Sequence, residues 1–326
     1  MGLQSIQYGN NVVKEVLANF LRKKRLPAVS LFYGPSGSGK SFFAHHFIQD
    51  ILCTNPQDIY CCNSCPSCKT VNALTSPDLL KISSLDGSSV KSDDIKKAQD
   101  FSALQPVYSD RKIIWIEDAH LLTIEAFNSI LKILEEPNIT TNFLLTTSKL
   151  DSILPTVRSR ATAIPFSFYS ESEIRQILLS LNCTESLAEQ LSKIGNGNIK
   201  KSISYMDPGS LENRKTQIEY LLQLIQQAAA LIPYQTKEEI LSFIANSETI
   251  MQDLAQMKLF PGKASIINID YWEPLNQFSR KVKIEEITKM WEILISAEID
   301  LNKVNVNLKA YFEFLCFSLK NIVLFC

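Results

Sequence analysis

The sequence predicts an α/β domain built on a parallel sheet and followed by an all-helical region, and three observations carry that prediction. Short apolar runs at Val29–Tyr33, Leu79–Ile82, Lys112–Ile116, 142–147 and Thr162–Pro165 alternate with helical stretches up to about residue 166, the rhythm of a parallel sheet. A glycine-rich loop joins the first run to a helical stretch at 42–52. From residue 210 onward Leu, Ile, Gln, Lys and Glu dominate and glycine is scarce, which favours helices.

The loop after the first strand, Gly34-Pro35-Ser36-Gly37-Ser38-Gly39-Lys40-Ser41, fits G-x-x-x-x-G-K-[ST] without a mismatch. Glycines let successive backbone N–H groups turn inward around phosphates, Lys40 adds a point charge, and the Ser41 hydroxyl is placed to ligate Mg²⁺. A plain Gly/Ser-rich turn would not account for the lysine and serine at these offsets. Between the third and fourth strands, Phe127, Ile130, Leu131 and Leu134 recur at helical spacing, and Pro137 is expected to end that helix. Residues 170–206 read as a short helical unit with Gly195-Asn196-Gly197-Asn198 as its turn, and Pro208-Gly209 punctuates the chain before the last region.

At 326 residues, with 45% hydrophobic and 21% charged content, the chain has room for two or three domains and the composition of a soluble globular protein. Thirty-three basic against 34 acidic residues leave a net charge of −1, so no whole-molecule field draws it to nucleic acid or an anionic membrane. Lys23-Lys24-Arg25 is the most basic run, and three such residues at a helix end are ordinarily a solvated face. The N-terminus has no apolar signal core, and Glu313 and Lys320 interrupt the most apolar stretch, so a cytoplasmic chain without a membrane span is expected.

Five of the eight cysteines fall between Cys53 and Cys68, a distribution that suits metal better than disulfides; Cys183, Cys316 and Cys326 are scattered through apolar surroundings. Cys53, Cys62, Cys65 and Cys68 form C-x8-C-x2-C-x2-C, able to close a tetrahedral, structural Zn²⁺ site with no open position. Cys61 could replace Cys62, although the two CxxC steps favour Cys62. The third strand ends in Glu117-Asp118, a pair suited to holding Mg²⁺ with one acid while the other polarises water, or else simply solvated; His120 is as readily a surface or cap residue. Arg158 and Arg160 in residues 154–160 read as solvated from composition alone.

Taken together, the phosphate loop, the cysteine insertion, Ser76-Pro77-Asp78, Glu117-Asp118-Ala119-His120-Leu121-Leu122-Thr123, Asn128-Ser129-Ile130-Leu131-Lys132-Ile133-Leu134-Glu135-Glu136-Pro137 and residues 154–160 resemble the bacterial DNA polymerase III clamp-loader subunits, most of all their delta-prime branch. The resemblance is strong over residues 5–166 and weaker to 206. It implies an AAA+ α/β nucleotide-binding domain over 1–166 with its zinc module at 53–68, a helical lid over 167–208, and a helical collar over 209–326. It also implies ATP and Mg²⁺ as cofactors, and gamma/tau and delta partners in a five-subunit ring that loads a sliding clamp onto primed DNA. Arg160 matches the arginine that acts across a subunit boundary in the family's Ser-Arg-Cys motif, with Ala161 in place of the cysteine.

Other departures concern hydrolysis. Related motor subunits carry aspartate then glutamate where this chain has Glu117 then Asp118, and a water-polarising carboxylate withdrawn by roughly 1 Å can cost on the order of 10²-fold. Thr147 and Ser148 stand in the sensing region at the fourth strand's end, and Lys200 where an active lid offers arginine. Lysine lacks the planar fork that grips phosphate oxygens, and Lys200 and Lys201 read equally as a solvated helix start. Slow or absent turnover by this chain itself is therefore expected, the alternative being a gamma/tau-like motor.

Overall fold

The computed structural model describes residues 3, 9–84, 88–135, 138–226, 234, 236–260, 266–303 and 307–322. Glu136, Pro137 and Cys326 lie outside the described residues, and with them the expected helix stop. The chain divides into two compact units, Met1–Ile177 with Gly197–Lys200, and Leu178–Asn196 with Lys201–Cys326.

The first unit runs α1 (Asn11–Arg22), β1 (Val29–Tyr33), α2 (Lys40–Leu52), α3 (Pro66–Asn72), β2 (Leu79–Ile82), α4 (Ser92–Ala103), β3 (Lys112–Ile116), α5 (Ile124–Glu135), β4 (Thr141–Thr147), α6 (Pro155–Arg158) and β5 (Thr162–Pro165), with most of α7 (Glu171–Ser180). The strands pair in parallel in the order β2-β3-β4-β1-β5. This is the parallel α/β sheet that the apolar runs predict. Because β1 sits between β4 and β5, its carboxyl end opens onto an interior crevice of the sheet, where α/β folds place ligands.

Strand alternation builds the core on both faces. Ile114 and Ile116 pack with Phe143, Leu145 and the apolar stripe of α5, while Ile113 and Trp115 pack on the other face with Phe43 and Phe47 of α2. β1, β3 and β4 are buried on both sides and so read as continuous apolar runs, whereas β5 at the sheet edge is largely exposed. Asp78, fully buried, locks the approach to β3: its carboxylate accepts from Val107 N (2.6 Å), Tyr108 N (2.8 Å) and Ser109 N (2.9 Å). The Ser-Pro-Asp triplet is thereby a loop anchor.

The second unit holds the rest of α7, α8 (Glu185–Gly195), most of α9 (Ile199–Ser204), α10 (Pro208–Ile225), α11 (Lys237–Leu259), α12 (Trp272–Lys281), α13 (Ile284–Lys303) and α14 (Leu308–Ile322). Pro208 is the first residue of α10, capped by Asp207, which accepts from Ser210 N, so Pro208-Gly209 starts a helix. Thr236 and Glu239 make a reciprocal capping box at the head of α11. The core gathers Leu221, Phe243, Met251, Leu294, Phe312 and Leu319. Beside it, Arg214 is 1% exposed and grips Asp270 with both terminal nitrogens (2.8 and 3.3 Å), while Asp253 accepts from the backbone of Ile267 and Asn268. The ion pair and hydrogen bonds offset the cost of desolvating the guanidinium. Among the described residues no helix is long and apolar enough to cross a membrane.

Candidate functional site

The phosphate loop spans the step from β1 to α2. Gly34, Gly37 and Gly39 take φ of 149°, 74° and 86°, a region that favours glycine. At Gly37 a side chain would also collide with the Asn198 amide, and at Gly34 with the Phe166 carbonyl. Lys40 lies folded within the loop, its ammonium donating to the carbonyls of Gly34 (2.9 Å) and Pro35 (2.7 Å) and lying 3.4 Å from Ser38 Oγ. Burial lowers its pKa, and the nearby Asp118 carboxylate opposes that shift. Three residues far away in sequence fence the loop: Asn10 donates to Ser38 O, Asn198 donates to Ser36 O, and the Tyr169 ring stands behind Gly39. None of the three showed in the sequence as facing the loop, because these contacts join segments far apart along the chain. A cradle of backbone N–H groups with a lysine inside fits the phosphates of a nucleotide.

The strand-end acids diverge. Glu117 turns back to the sheet and ion-pairs with Lys81 of β2 at 2.7 Å. Burial would push its carboxyl up, but Lys81, Ser41 and the charge of Lys200 outweigh burial and hold it below the usual carboxylate range. Lys200 is near enough for its charge to act on Glu117. Asp118 is exposed, with a left-handed φ of 50° and its N–H donated to Thr146 Oγ1. Thr147 is fully buried; its hydroxyl contacts His120 Nδ1 (3.3 Å) and closes a turn with the backbone of Lys149, while Ser148 follows at the strand end. His120 is therefore half-buried against Thr147, and desolvation lowers its pKa. Lys81 escaped the sequence reading because only strand pairing sets it beside Glu117.

The cysteine module connects α2 to α3. The sulfurs of Cys53, Cys62, Cys65 and Cys68 all lie within 4.8 Å of one another. Backbone N–H groups point at three of them, from Cys62 to Cys53 Sγ (3.3 Å), from Cys65 to Cys62 Sγ (3.4 Å) and from Cys68 to Cys65 Sγ (3.4 Å), an arrangement that favours thiolates. Cys61 points elsewhere: its N–H donates to Asp50 and its thiol to Asn63. Four sulfurs closing on one point, with no carboxylate or imidazole among them, are compatible with a closed Zn²⁺ site.

Arg160 lies two residues past α6, exposed, its guanidinium donating to Thr156 O at 3.1 Å. Ala161, where the resemblance expects cysteine, is partly buried against the core under β4 and α5. Arg158 faces Asp151 at 3.9 Å, and Lys23, Lys24 and Arg25 are solvent-exposed.

The family model described as DNA polymerase III, delta subunit, matches residues 9–169. A DNA polymerase III subunit tau/gamma of Haemophilus influenzae is 24% identical over 323 residues, 90% of this chain and 46% of the relative. A DNA polymerase III subunit delta' of Bacillus subtilis is 24% identical over 318 residues, covering 94% of this chain and 95% of its own length. The chain spans about a third to a half of the gamma/tau-type relatives it matches. A solved gamma subunit-related protein of Thermotoga maritima aligns over 95% of this chain and 99% of its own at 16% identity, with a TM-score of 0.47. Over residues 9–169, which include the phosphate loop, the strand-end acids and Arg160, this chain is similar to DNA polymerase III subunits.

Proposed function

We propose that this chain is a delta-prime-type subunit of a clamp loader, a ring that uses ATP to open a sliding clamp and place it on primed DNA. In that ring Arg160 completes the ATP site of an adjacent gamma/tau subunit. Residues 209–326 form the collar that joins gamma/tau and delta neighbours, and residues 167–208 act as the lid of the 1–166 domain. Exposed Phe314 (66%) and Phe317 (64%) on α14 suit a collar that meets other subunits. The chain's own site grips nucleotide through residues 34–41, with Thr147, Ser148 and Lys200 at its rim and Ser41 as the hydroxyl for Mg²⁺. Zn²⁺ fills the thiolate cage as a structural ion. A cytoplasmic setting follows from that role.

The observation that carries this division of labour is the pairing of Glu117 with Lys81 beside an intact phosphate loop. A carboxylate held by an ammonium is poorly placed to hold Mg²⁺, and Asp118 is one methylene shorter than the water-polarising glutamate it would replace. The second reading, a gamma/tau-like motor that turns over ATP itself, is favoured by the faultless loop and by the tau/gamma relatives. The two part in a reconstituted ring. Arg160→Ala is expected to slow single-turnover hydrolysis at the adjacent site by about 10³-fold, whereas Lys40→Ala should leave that site unchanged. An unaltered rate with Arg160→Ala refutes the trans role, and brisk hydrolysis by the isolated chain establishes the motor.

A further inference from the structure

We propose that Lys81 is a built-in cation that stands in for part of the magnesium requirement, so that this site binds nucleotide almost equally with and without Mg²⁺. This rests on the reading that residues 34–41 hold nucleotide. In phosphate loops of this type the loop hydroxyl and a strand-end acid are the protein groups that hold the divalent ion. Here those groups are Ser41 and Glu117, and the Lys81 ammonium already lies 2.7 Å from Glu117.

The fold builds this contact in. Lys81 is in register with Trp115 of the neighbouring strand, and its ammonium lies 4.4 Å from the centre of the Trp115 ring. Glu117 N donates to Ile82 O (2.8 Å), which fixes the acid one step beyond that pair. Lysine and glutamate are 26% and 21% exposed in their side chains, so the pair is partly withdrawn from water and less screened than a surface bridge. Two consequences follow. Glu117, neutralised by Lys81, does not repel a nucleotide phosphate when metal is absent. A divalent ion seeking Glu117 must displace a charge-assisted hydrogen bond, so metal gains little from the acid.

Calorimetric titration of ADP and of ATP into the purified full chain, in Mg²⁺ or in excess EDTA, tests this directly. The unaltered chain should bind with affinities within about threefold of each other in the two conditions. Lys81→Met keeps the apolar stem but exposes the phosphates to an unpaired carboxylate, and its affinity in EDTA should fall at least about tenfold below that in Mg²⁺. Lys81→Arg, which keeps the charge, should behave like the unaltered chain. Should Lys81→Met fail to fold, Glu117→Gln removes the same repulsion, and its binding in EDTA should be no weaker than that of the unaltered chain. A tenfold or greater loss on adding EDTA to the unaltered chain overturns the proposal alone, as does a Lys81→Met protein indifferent to Mg²⁺ or a Glu117→Gln protein weakened in EDTA. Absence of nucleotide binding under both conditions overturns the nucleotide reading of the loop as well.

Discussion

Asp78→Ala should destabilise the α/β unit by about 3 kcal/mol, because one carboxylate satisfies the whole turn before β3. It accepts three backbone N–H groups at 2.6 to 2.9 Å, and Ser109 Oγ lies 3.4 Å away. Hydrogen bonds to a charged group contribute about 1.5–3 kcal/mol each. The side chains of Val107 and Tyr108 are exposed, so their amides recover water when the carboxylate goes, and the sum is discounted to roughly the value of one to two such bonds. A second loss points the same way. Lys112 is 1% exposed, with its ammonium on Phe101 O at 2.7 Å, and Asp78 is the carboxylate that offsets its burial. Asp78→Asn retains an acceptor and the shape and should lose less. Urea unfolding read from Trp115 fluorescence, in a background where Trp272 and Trp291 are phenylalanine, isolates this unit, since the chain has three tryptophans. A loss below about 1 kcal/mol for Asp78→Ala refutes the anchor argument, because that is within the range of an ordinary surface substitution.

Metal analysis of the purified chain should find one Zn²⁺ per molecule, lost in Cys62→Ser and retained in Cys61→Ser, with chelation lowering the melting temperature of the parent and of Cys61→Ser but not of Cys62→Ser. Retention by Cys62→Ser would move the fourth ligand to Cys61. Burial raises the Asp50 carboxyl to about 6, against hydrogen bonds from Leu3 and Cys61 N that lower it. Between its ordinary value and about 6 the folded chain keeps a proton that the unfolded chain has shed, so this group's contribution falls as pH rises through that window, by up to about 3 kcal/mol. Asp50→Asn should remove that slope. Parallel pH profiles for the parent and Asp50→Asn would refute it.

The phosphate loop was legible in the sequence because its chemistry is contiguous: the glycines, Lys40 and Ser41 act within one turn of chain, and spacing alone sets their geometry. The strands were legible for a related reason. β1, β3 and β4, buried on both faces, have no polar side to show; β1, β2, β3 and β5 occupy the spans expected, while β4 begins one residue earlier, at Thr141. The cysteine spacing narrowed the cluster to five candidates and, through the two CxxC steps, favoured Cys62 over Cys61 without deciding between these adjacent residues. It took the Asp50 carboxylate, eleven positions back on α2, to draw the Cys61 backbone away and leave the Cys62 sulfur among the other three.

The sequence by itself therefore determined the fold class, the cradle and the family motifs, all of which depend on local periodicity or short spacing. Only the tertiary structure decided that Glu117 is held by Lys81, that Asn10 and Asn198 brace the loop from opposite ends of the α/β unit, and that Thr147 spends its hydroxyl on His120 and Lys149. Those contacts join residues brought together by strand pairing and chain reversal, and the electrostatic environment of an acid is the sum over such neighbours rather than a property of the residues beside it in sequence.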